Sequence, residues 1–386
     1  MPIVPADRPG APTWLLIAGG GTGGHVYPGL TIADALVQHG RQRSSIHWLG
    51  SRIGVETDLV PAAGYSLTTL PGRGLNGRRI DLANLKAAFG LIRAAVAGAA
   101  EVRRRRPAVV LSLGGYAAFG GIAGAVLWRI PLVVAEQNAV ASLTNRLAGR
   151  FARACAVAFG GTDLPRAVLT GNPVRPDVVA AREIALDPGR RAVVRAELGV
   201  DDDQILVAVM SGSLGSRVVN RAVIGMVERL GDRDDLAVRH VIGRRDWQTD
   251  HAPAPTGLPA GGLTYQALEY EDRPDRLLAA ADLFIGRAGA STVAELAVVG
   301  VPSILVPLPI APRDAQRRNA EPFVQAGAAR VLDDVDCTAQ RVADLVTELT
   351  GDPGQLATMA SAARALGHPD AAARVVALLD EYASRD

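Results

Sequence analysis

The sequence of 386 residues has little from which to build a covalent or metal framework. Its two cysteines, Cys155 and Cys337, have no C-x-x-C partners. A disulfide scaffold and a cysteine metal cluster are therefore excluded, and a reducing, intracellular setting is expected. Aromatic residues make up only 4% of the chain. They are not interleaved with basic residues as in a nucleic-acid-binding surface, so no nucleic-acid partner is expected. Residues 1–13 are rich in proline and lack a basic start and an apolar centre, so a secretory leader is not expected. Long apolar runs are scarce too. Residues 107–128 carry no charge and are long enough to span a bilayer. Their glycine pairs, Gly114-Gly115 and Gly120-Gly121, and their β-branched start instead predict a strand, a loop and a buried helix.

The composition that remains, 48% hydrophobic and 21% charged, is that of a globular α/β protein long enough for two domains. The net charge of +2 conceals an asymmetry. Residues 1–174 hold 18 Lys and Arg against 8 Asp and Glu, a net +10, and residues 175–386 hold 23 against 31, a net −8. The first half is thus expected to meet something anionic, and a membrane surface is the better candidate once nucleic acid is set aside.

Apolar strand-like runs alternate with helix-like segments. They fall at residues 14–18, 46–49, 109–113, 132–135 and 154–158, and again at 205–210, 237–242, 283–285, 303–306 and 329–332. Continuous apolar strands separated by helices predict parallel sheets covered on both faces, hence two doubly wound domains with ligands at the carboxyl ends of the strands. The segment Gly171-Asn172-Pro173-Val174-Arg175-Pro176 interrupts helix and strand alike. The domains are therefore expected at 1–174 and 175–367. A last helix within 368–386, set off by Gly367-His368-Pro369, is expected to cross back to the first.

Four segments carry candidate chemistry. The run Gly19-Gly20-Gly21-Thr22-Gly23-Gly24-His25 joins a strand to a helix, where glycine admits close backbone approach and free N–H groups favour a phosphate or sugar. A tight turn with a histidine near the helix start is the plainer reading. In the second half, Ser211-Gly212-Ser213-Leu214-Gly215-Ser216 and Gly286-Arg287-Ala288-Gly289-Ala290-Ser291-Thr292-Val293-Ala294-Glu295 repeat the strand, small-residue loop and helix pattern. Glu295 can accept from ribose hydroxyls or can simply favour the first helical turn. Glu136-Gln137-Asn138 ends a strand, and Gln316 and Asn319 lie one helical turn apart.

Taken in order, these segments, together with Gly114-Gly115-Tyr116, Thr144-Asn145 and Gly171-Asn172-Pro173-Val174-Arg175, resemble the bacterial N-acetylglucosaminyltransferases of the MurG type. The resemblance implies two Rossmann-like domains facing a cleft, the GT-B arrangement. It implies inverting transfer of N-acetylglucosamine from its UDP donor to the C4 hydroxyl of the muramoyl sugar of an undecaprenyl-linked pentapeptide acceptor. Donor contacts carry over to Thr22, Gly23, Gly24, Asn138, Arg175, Ser213, Ala290, Ser291, Thr292, Val293, Ala294, Glu295, Gln316 and Asn319. His25 is the expected base, with Glu136 the second candidate. No metal and no cofactor are expected, since no D-x-D motif stands in a suitable context. Leu214, Ser291, Ala315, Glu271 and Arg273-Pro274 depart from the family's usual residues. Transfer to a soluble acceptor and a catalytically weakened donor-binding scaffold stay open as alternatives.

The resemblance also implies a peripheral position on the cytoplasmic face of the cell membrane, with cell-wall and division proteins as partners. Leu75, Ile80, Leu82, Leu85, Phe89 and Ile92, interleaved with Arg73, Arg78, Arg79, Lys86 and Arg93, form a pattern suited to a headgroup layer. The same pattern suits a helix with its apolar face on the core and a solvated basic face.

Overall fold

The computed structural model describes residues 12–71, 82–247 and 258–383. The chain divides into two units, Met1–Arg175 with His368–Asp386, and Pro176–Gly367. The first runs β1 (Leu15–Gly19), α1 (Gly23–Gln38), β2 (Ile46–Ser51), α2 (Glu56–Ala62), β3 (Ser66–Leu70), α3 (Leu82–Arg105), β4 (Val109–Gly114), α4 (Ala118–Leu127), β5 (Leu132–Glu136), α5 (Leu143–Gly149), β6 (Ala154–Val157) and β7 (Ala167–Leu169). Its strands are all parallel, in the order β3-β2-β1-β4-β5-β6-β7.

The second unit runs α6 (Pro176–Leu186), α7 (Pro188–Glu197), β8 (Ile205–Met210), α8 (Arg217–Arg229), β9 (Leu236–Val241), α9 (Arg244–Trp247), β10 (Thr264–Leu268), α10 (Pro274–Ala280), β11 (Leu283–Gly286), α11 (Ala290–Val299), β12 (Ser303–Leu305), α12 (Ala315–Gln325), β13 (Ala329–Val331), α13 (Ala339–Thr350) and α14 (Pro353–Ala365). Its parallel sheet has the order β10-β9-β8-β11-β12-β13. The last helix, α15 (Ala371–Tyr382), packs on α1 of the first unit, where Val375, Val376 and Leu379 share a core with Leu15 and Ile17.

The continuous apolar runs have a direct cause. In β1, Leu15 and Ile17 face one core, and Leu16 and Ala18 face another on the opposite side of the sheet. Alternate side chains point to opposite faces, so a strand covered on both sides must be apolar at every position. Edge strands lack that requirement. β3, β7 and β10, which the apolar pattern does not reveal, are all edge strands and are not fully buried. α1 begins at Gly23, inside the glycine run, so that Pro28 lies within the helix.

Glycine at α3 and α4 lets the two helix backbones approach closely. A Cβ placed on Gly98 would lie 2.4 Å from the Cα of Gly120, and one placed on Gly124 would lie 2.6 Å from the Cβ of Val102. We expect Gly98→Val to force the helices apart and to destabilise the first unit by about 1–3 kcal/mol, the usual range for overpacking. Urea unfolding should show a lower midpoint. An unchanged midpoint would mean that the contact is not tight.

Candidate active site

In doubly wound sheets the ligand crevice lies at the carboxyl ends of the strands, where the strand order reverses. In the first unit that point is between β1 and β4. The loop after β1 turns through Gly21, whose φ of +94° is a left-handed conformation suited to glycine. It enters α1 at an extended cap residue, Thr22, whose side chain makes no capping hydrogen bond. The first N–H groups of α1, at Gly23 and Gly24, are thus left without a side-chain cap and favour an anion. His25 sits in this first turn, half-buried, with Nδ1 3.4 Å from Thr22 Oγ1. Burial pushes its pKa below the ordinary 6.5, while Glu136, Glu56 and the Gly20 carbonyl pull the other way without overcoming it. His25 is therefore neutral at neutral pH and able to take a proton.

The loop is shaped by a carboxylate that the sequence pattern does not single out. Glu56, fully buried, accepts from Gly21 N at 2.7 Å through one oxygen and from Ser51 N and Ser51 Oγ at 2.7 and 2.8 Å through the other. A Cβ on Gly20 would lie 2.3 Å from this carboxyl group, and one on Gly54 would lie 2.0 Å from it. By sequence Glu56 looks like any acidic residue at a helix start. The two glycines that precede it and pack on it, Gly50 and Gly54, are the signal that could have found it.

Glu136 ends β5 and is also buried. Its Oε1 accepts from Asn138 N and Nδ2 at 3.0 and 3.3 Å, and its Oε2 from Ser142 N and Asn145 Nδ2, both at 2.9 Å. Asn145 in turn accepts from Ser112 Oγ at 3.0 Å. Both oxygens of Glu136 are thus committed to the loop. The side chain orders Asn138 and adds negative charge near His25, whose imidazole is neutral. Arg175 stacks 5.5 Å from the ring of Tyr27, beside the first turns of α1. Thr22, Gly23, Gly24, His25, Glu136, Asn138 and Arg175 therefore gather in one region of the first unit.

The second unit reverses strand order between β8 and β11. A Cβ on Gly286 would lie 1.9 Å from the Met210 carbonyl, so the ends of these strands approach closely only because glycine is there. The two helices that follow differ. α8 is capped by Ser216 Oγ, which accepts from Val219 N, whereas α11 opens at Gly289 with no side-chain cap. The vacant N–H groups are those of Ala290, Ser291 and Thr292, with Glu295 half-buried in the same helix.

Ser213 is exposed on the β8 loop, and its carbonyl accepts from Arg244 N at 3.0 Å. Beneath that loop, buried Asp246 accepts from Arg245 and Asn220. Burial alone would raise its pKa, but Arg245 and Arg217 win and hold it below the usual carboxylate value. Gln316 Oε1 accepts from Leu308 N at 2.9 Å, fixing the loop after β12. Asn319 and Val293 lie behind the loops rather than on their open side. Asn319 is fully buried and donates to the Ala288 carbonyl, and Val293 is core.

Arg287 is a further residue of this region. It donates to Ser216 Oγ at 2.7 Å and to the Val306 and Pro307 carbonyls, and it pairs with Asp334 at 2.6 Å. One guanidinium thereby braces three loops. Glu271, one of the positions that depart from the family, pairs with Arg239 at 2.9 Å. Of the membrane-facing residues expected from the sequence, Leu75, Arg78 and Arg79 lie outside the described residues, and Leu85 and Phe89 fall within the span of α3.

The glycosyltransferase family 28 N-terminal domain matches residues 15–157, and the family 28 C-terminal domain matches residues 206–375. A UDP-N-acetylglucosamine--N-acetylmuramyl-(pentapeptide) pyrophosphoryl-undecaprenol N-acetylglucosamine transferase of Alkalilimnicola ehrlichii is 41% identical over 371 residues, 96% of this chain and 99% of that protein. The chain belongs to the MurG family. A protein of the same name from Mycobacterium sp. (strain JLS) is 41% identical over 94% of this chain and 93% of its own length. The crystal structure of Acinetobacter baumannii MurG aligns with a TM-score of 0.75 at 30% identity, covering 96% of this chain and all of that one. The UDP-bound structure of S. aureus MnaA, at 15% identity and a TM-score of 0.66, shares the fold alone. Two parallel α/β units of this kind make the fold GT-B.

The environment of His25 fixes the sign of a pH effect. With its pKa lowered, the acidic limb of kcat/KM should lie below pH 6.5 and leave the base deprotonated at neutral pH. Glu56→Gln removes a charge that holds the pKa up, so the limb should move further toward acid. A limb that stays in place in the variant would separate Glu56 from His25 electrostatically.

Proposed function

We infer that this chain moves N-acetylglucosamine from UDP-N-acetylglucosamine to the C4 hydroxyl of the muramoyl sugar of an undecaprenyl-diphospho-linked pentapeptide acceptor. Identity of 41% along almost the whole chain with transferases of that name carries the reading. The uncapped start of α11 and the neutral His25 give it a physical basis.

The acceptor oxygen attacks the anomeric carbon with inversion. The bond from that carbon to the diphosphate oxygen breaks, and UDP leaves with the electron pair. The acceptor proton passes to His25. Negative charge grows on the departing diphosphate, and vacant N–H groups at a helix start, aimed beforehand, stabilise it. We assign that part to Ala290, Ser291 and Thr292, with Glu295 accepting from the ribose, Gln316 and Ser213 completing the donor seat, and Arg287 holding the loops in place. Thr22, Gly23, Gly24, Asn138 and Arg175 then line the transferred sugar.

The acceptor is a lipid, so the chain must reach a membrane. Among the described residues no helix is long and apolar enough to cross one. Attachment is therefore read as peripheral, on the cytoplasmic side and through the first unit. In the part of α3 whose side chains are described, Ala94, Gly98, Ala99 and Val102 are buried, while Ile92 and Val96 stay 63% and 66% exposed. Leu127 at the end of α4 and Phe151 after α5 are exposed to a similar degree. The exposure of Ile92 and Val96 supports a headgroup-facing reading of this helix.

The deciding experiment is turnover of UDP-N-acetylglucosamine with a lipid-linked muramoyl-pentapeptide analogue. His25→Ala should lower kcat by roughly 10²–10⁴-fold, the usual loss for a general base, with UDP affinity kept. Near-normal turnover in that variant would remove His25 from the chemistry. Calorimetry with UDP should show Glu295→Ala binding more weakly by about 1–3 kcal/mol. Unchanged affinity would take Glu295 out of the donor site. Activity should also persist in EDTA, and loss restored by magnesium would overturn the metal-independent charge stabilisation.

A further inference from the structure

His240 is fully buried in β9, an interior strand of the second unit. It continues the row of Leu236 and Val238, which share a core with Val219 and Val223 of α8. Alternate residues of a strand line one face, so an apolar side chain is expected at this position. Burial pushes the imidazole pKa down to about 3, so the ring is neutral and has one donor and one acceptor.

Its partners decide which nitrogen donates. Asn220, fully buried on α8, donates through Nδ2 to the Ile242 carbonyl at 3.0 Å and to Asp246 Oδ2 at 3.2 Å. Asn220 Oδ1, 3.0 Å from His240 Nε2, is therefore the acceptor, and Nε2 carries the proton. Nδ1 then accepts from the Tyr265 hydroxyl at 3.0 Å. The bonds run one way, from Tyr265 on β10 through His240 and Asn220 to the Ile242 carbonyl.

That carbonyl lies directly against the loop after β8. A Cβ on Gly215, whose φ is +78°, would lie 2.0 Å from the Ile242 oxygen. A Cβ on Gly243, with φ +95°, would lie 2.2 Å from Gly215 N. The Ser213 carbonyl of the same loop accepts from Arg244 N at 3.0 Å. The loop after β8 thus rests on the loop after β9 with no side chain between them, and a shift of Ile242 is passed on to Ser213. Stability alone does not require the polar row, because apolar groups of the same shape in place of a buried hydrogen-bonded pair are close to neutral. What apolar groups lack is direction: they do not fix the orientation of a single carbonyl.

We propose that Tyr265, His240 and Asn220 are positioning residues for the donor. They hold the Ile242 carbonyl, and through it the loop at 211–215, where that loop meets the donor diphosphate. The proposal rests on the reading of the second unit as the seat of the UDP-sugar.

Steady-state kinetics and calorimetry with UDP test it on the full chain. His240→Leu is close in volume and removes both hydrogen bonds. KM for UDP-N-acetylglucosamine and Kd for UDP should each rise roughly tenfold, the effect of an unpaired buried acceptor. At saturating donor kcat should change by less than about twofold, as for an interaction equal in ground and transition states. His240→Gln has an amide that still donates to Asn220 and accepts from Tyr265, and should return both constants to within about twofold of wild type. Tyr265→Phe removes one hydroxyl and should raise both by roughly threefold. Thr350→Val removes a buried hydroxyl beside Arg233, at the amino end of β9, and should lower Tm with both constants unchanged.

A folded His240→Leu enzyme with lower Tm but wild-type KM and Kd would make the network structural only and overturn the proposal. Equal weakening in Thr350→Val would do the same, since the effect would then follow stability. Failure of His240→Gln to restore binding would assign the role to the ring's shape and not to its hydrogen bonds. Should His240→Leu not fold, wild-type constants in Tyr265→Phe overturn the proposal by themselves. Wild type that binds no UDP would overturn the donor reading beneath it.

Discussion

A carboxylate removed from water has to be given hydrogen-bond donors, and that requirement shapes the catalytic end of the first unit. Glu56 and Glu136 are both buried and draw donors from the loops around them: Gly21 and Ser51 for the first, Asn138, Ser142 and Asn145 for the second. The loops have the shape that satisfies these groups. His25 is positioned as a consequence, on the turn that Glu56 fixes from behind. Asp246 and Arg287 do comparable work beneath the β8 and β11 loops of the second unit. In both units a buried charge fixes the loops in position before any ligand arrives, which is what electrostatic preorganisation requires.

Both units also carry local conformational costs. The start of α11 goes without a cap, although a capping serine is present at α8. A cap adds about 1 kcal/mol to helix stability, so its omission leaves that amount for a ligand to recover. Arg129 and Arg166 occupy backbone conformations better suited to glycine. Glycine is used where backbones must nearly touch, as between Gly98 and Gly120 and between Gly286 and Met210.

Much of the fold is legible in the sequence because interior parallel strands must be apolar at every position. The runs at 14–18, 109–113 and 132–135 correspond to β1, β4 and β5, and 205–210 to β8. The edge strands β3, β7 and β10 escape that reading, since one side of an edge strand faces solvent and the polar residues of Ser66–Leu70 or Thr264–Leu268 break no rule there. The candidate site divides similarly. The glycine loops, His25, Glu136 and Glu295 stand out because small residues after an apolar strand have few other uses. Glu56 and Arg287 do not, because their importance lies in what they meet across the fold.

The sequence by itself determined the class of fold, the loops that end the central strands, the charge of the first half and, through the ordered segments from Gly20 to Asn319, the family. These are local properties, carried by consecutive residues and by periodicity. Only the tertiary structure decided that the carboxylates of Glu56 and Glu136 are both committed to loop donors, which helix start is left uncapped, that Asn319 lies behind its loop, and that Arg129, Arg153 and Arg166 share one cavity. Each depends on residues far apart in the chain meeting in a buried space. Burial and hydrogen-bond saturation, unlike periodicity, leave no mark on any single stretch of sequence.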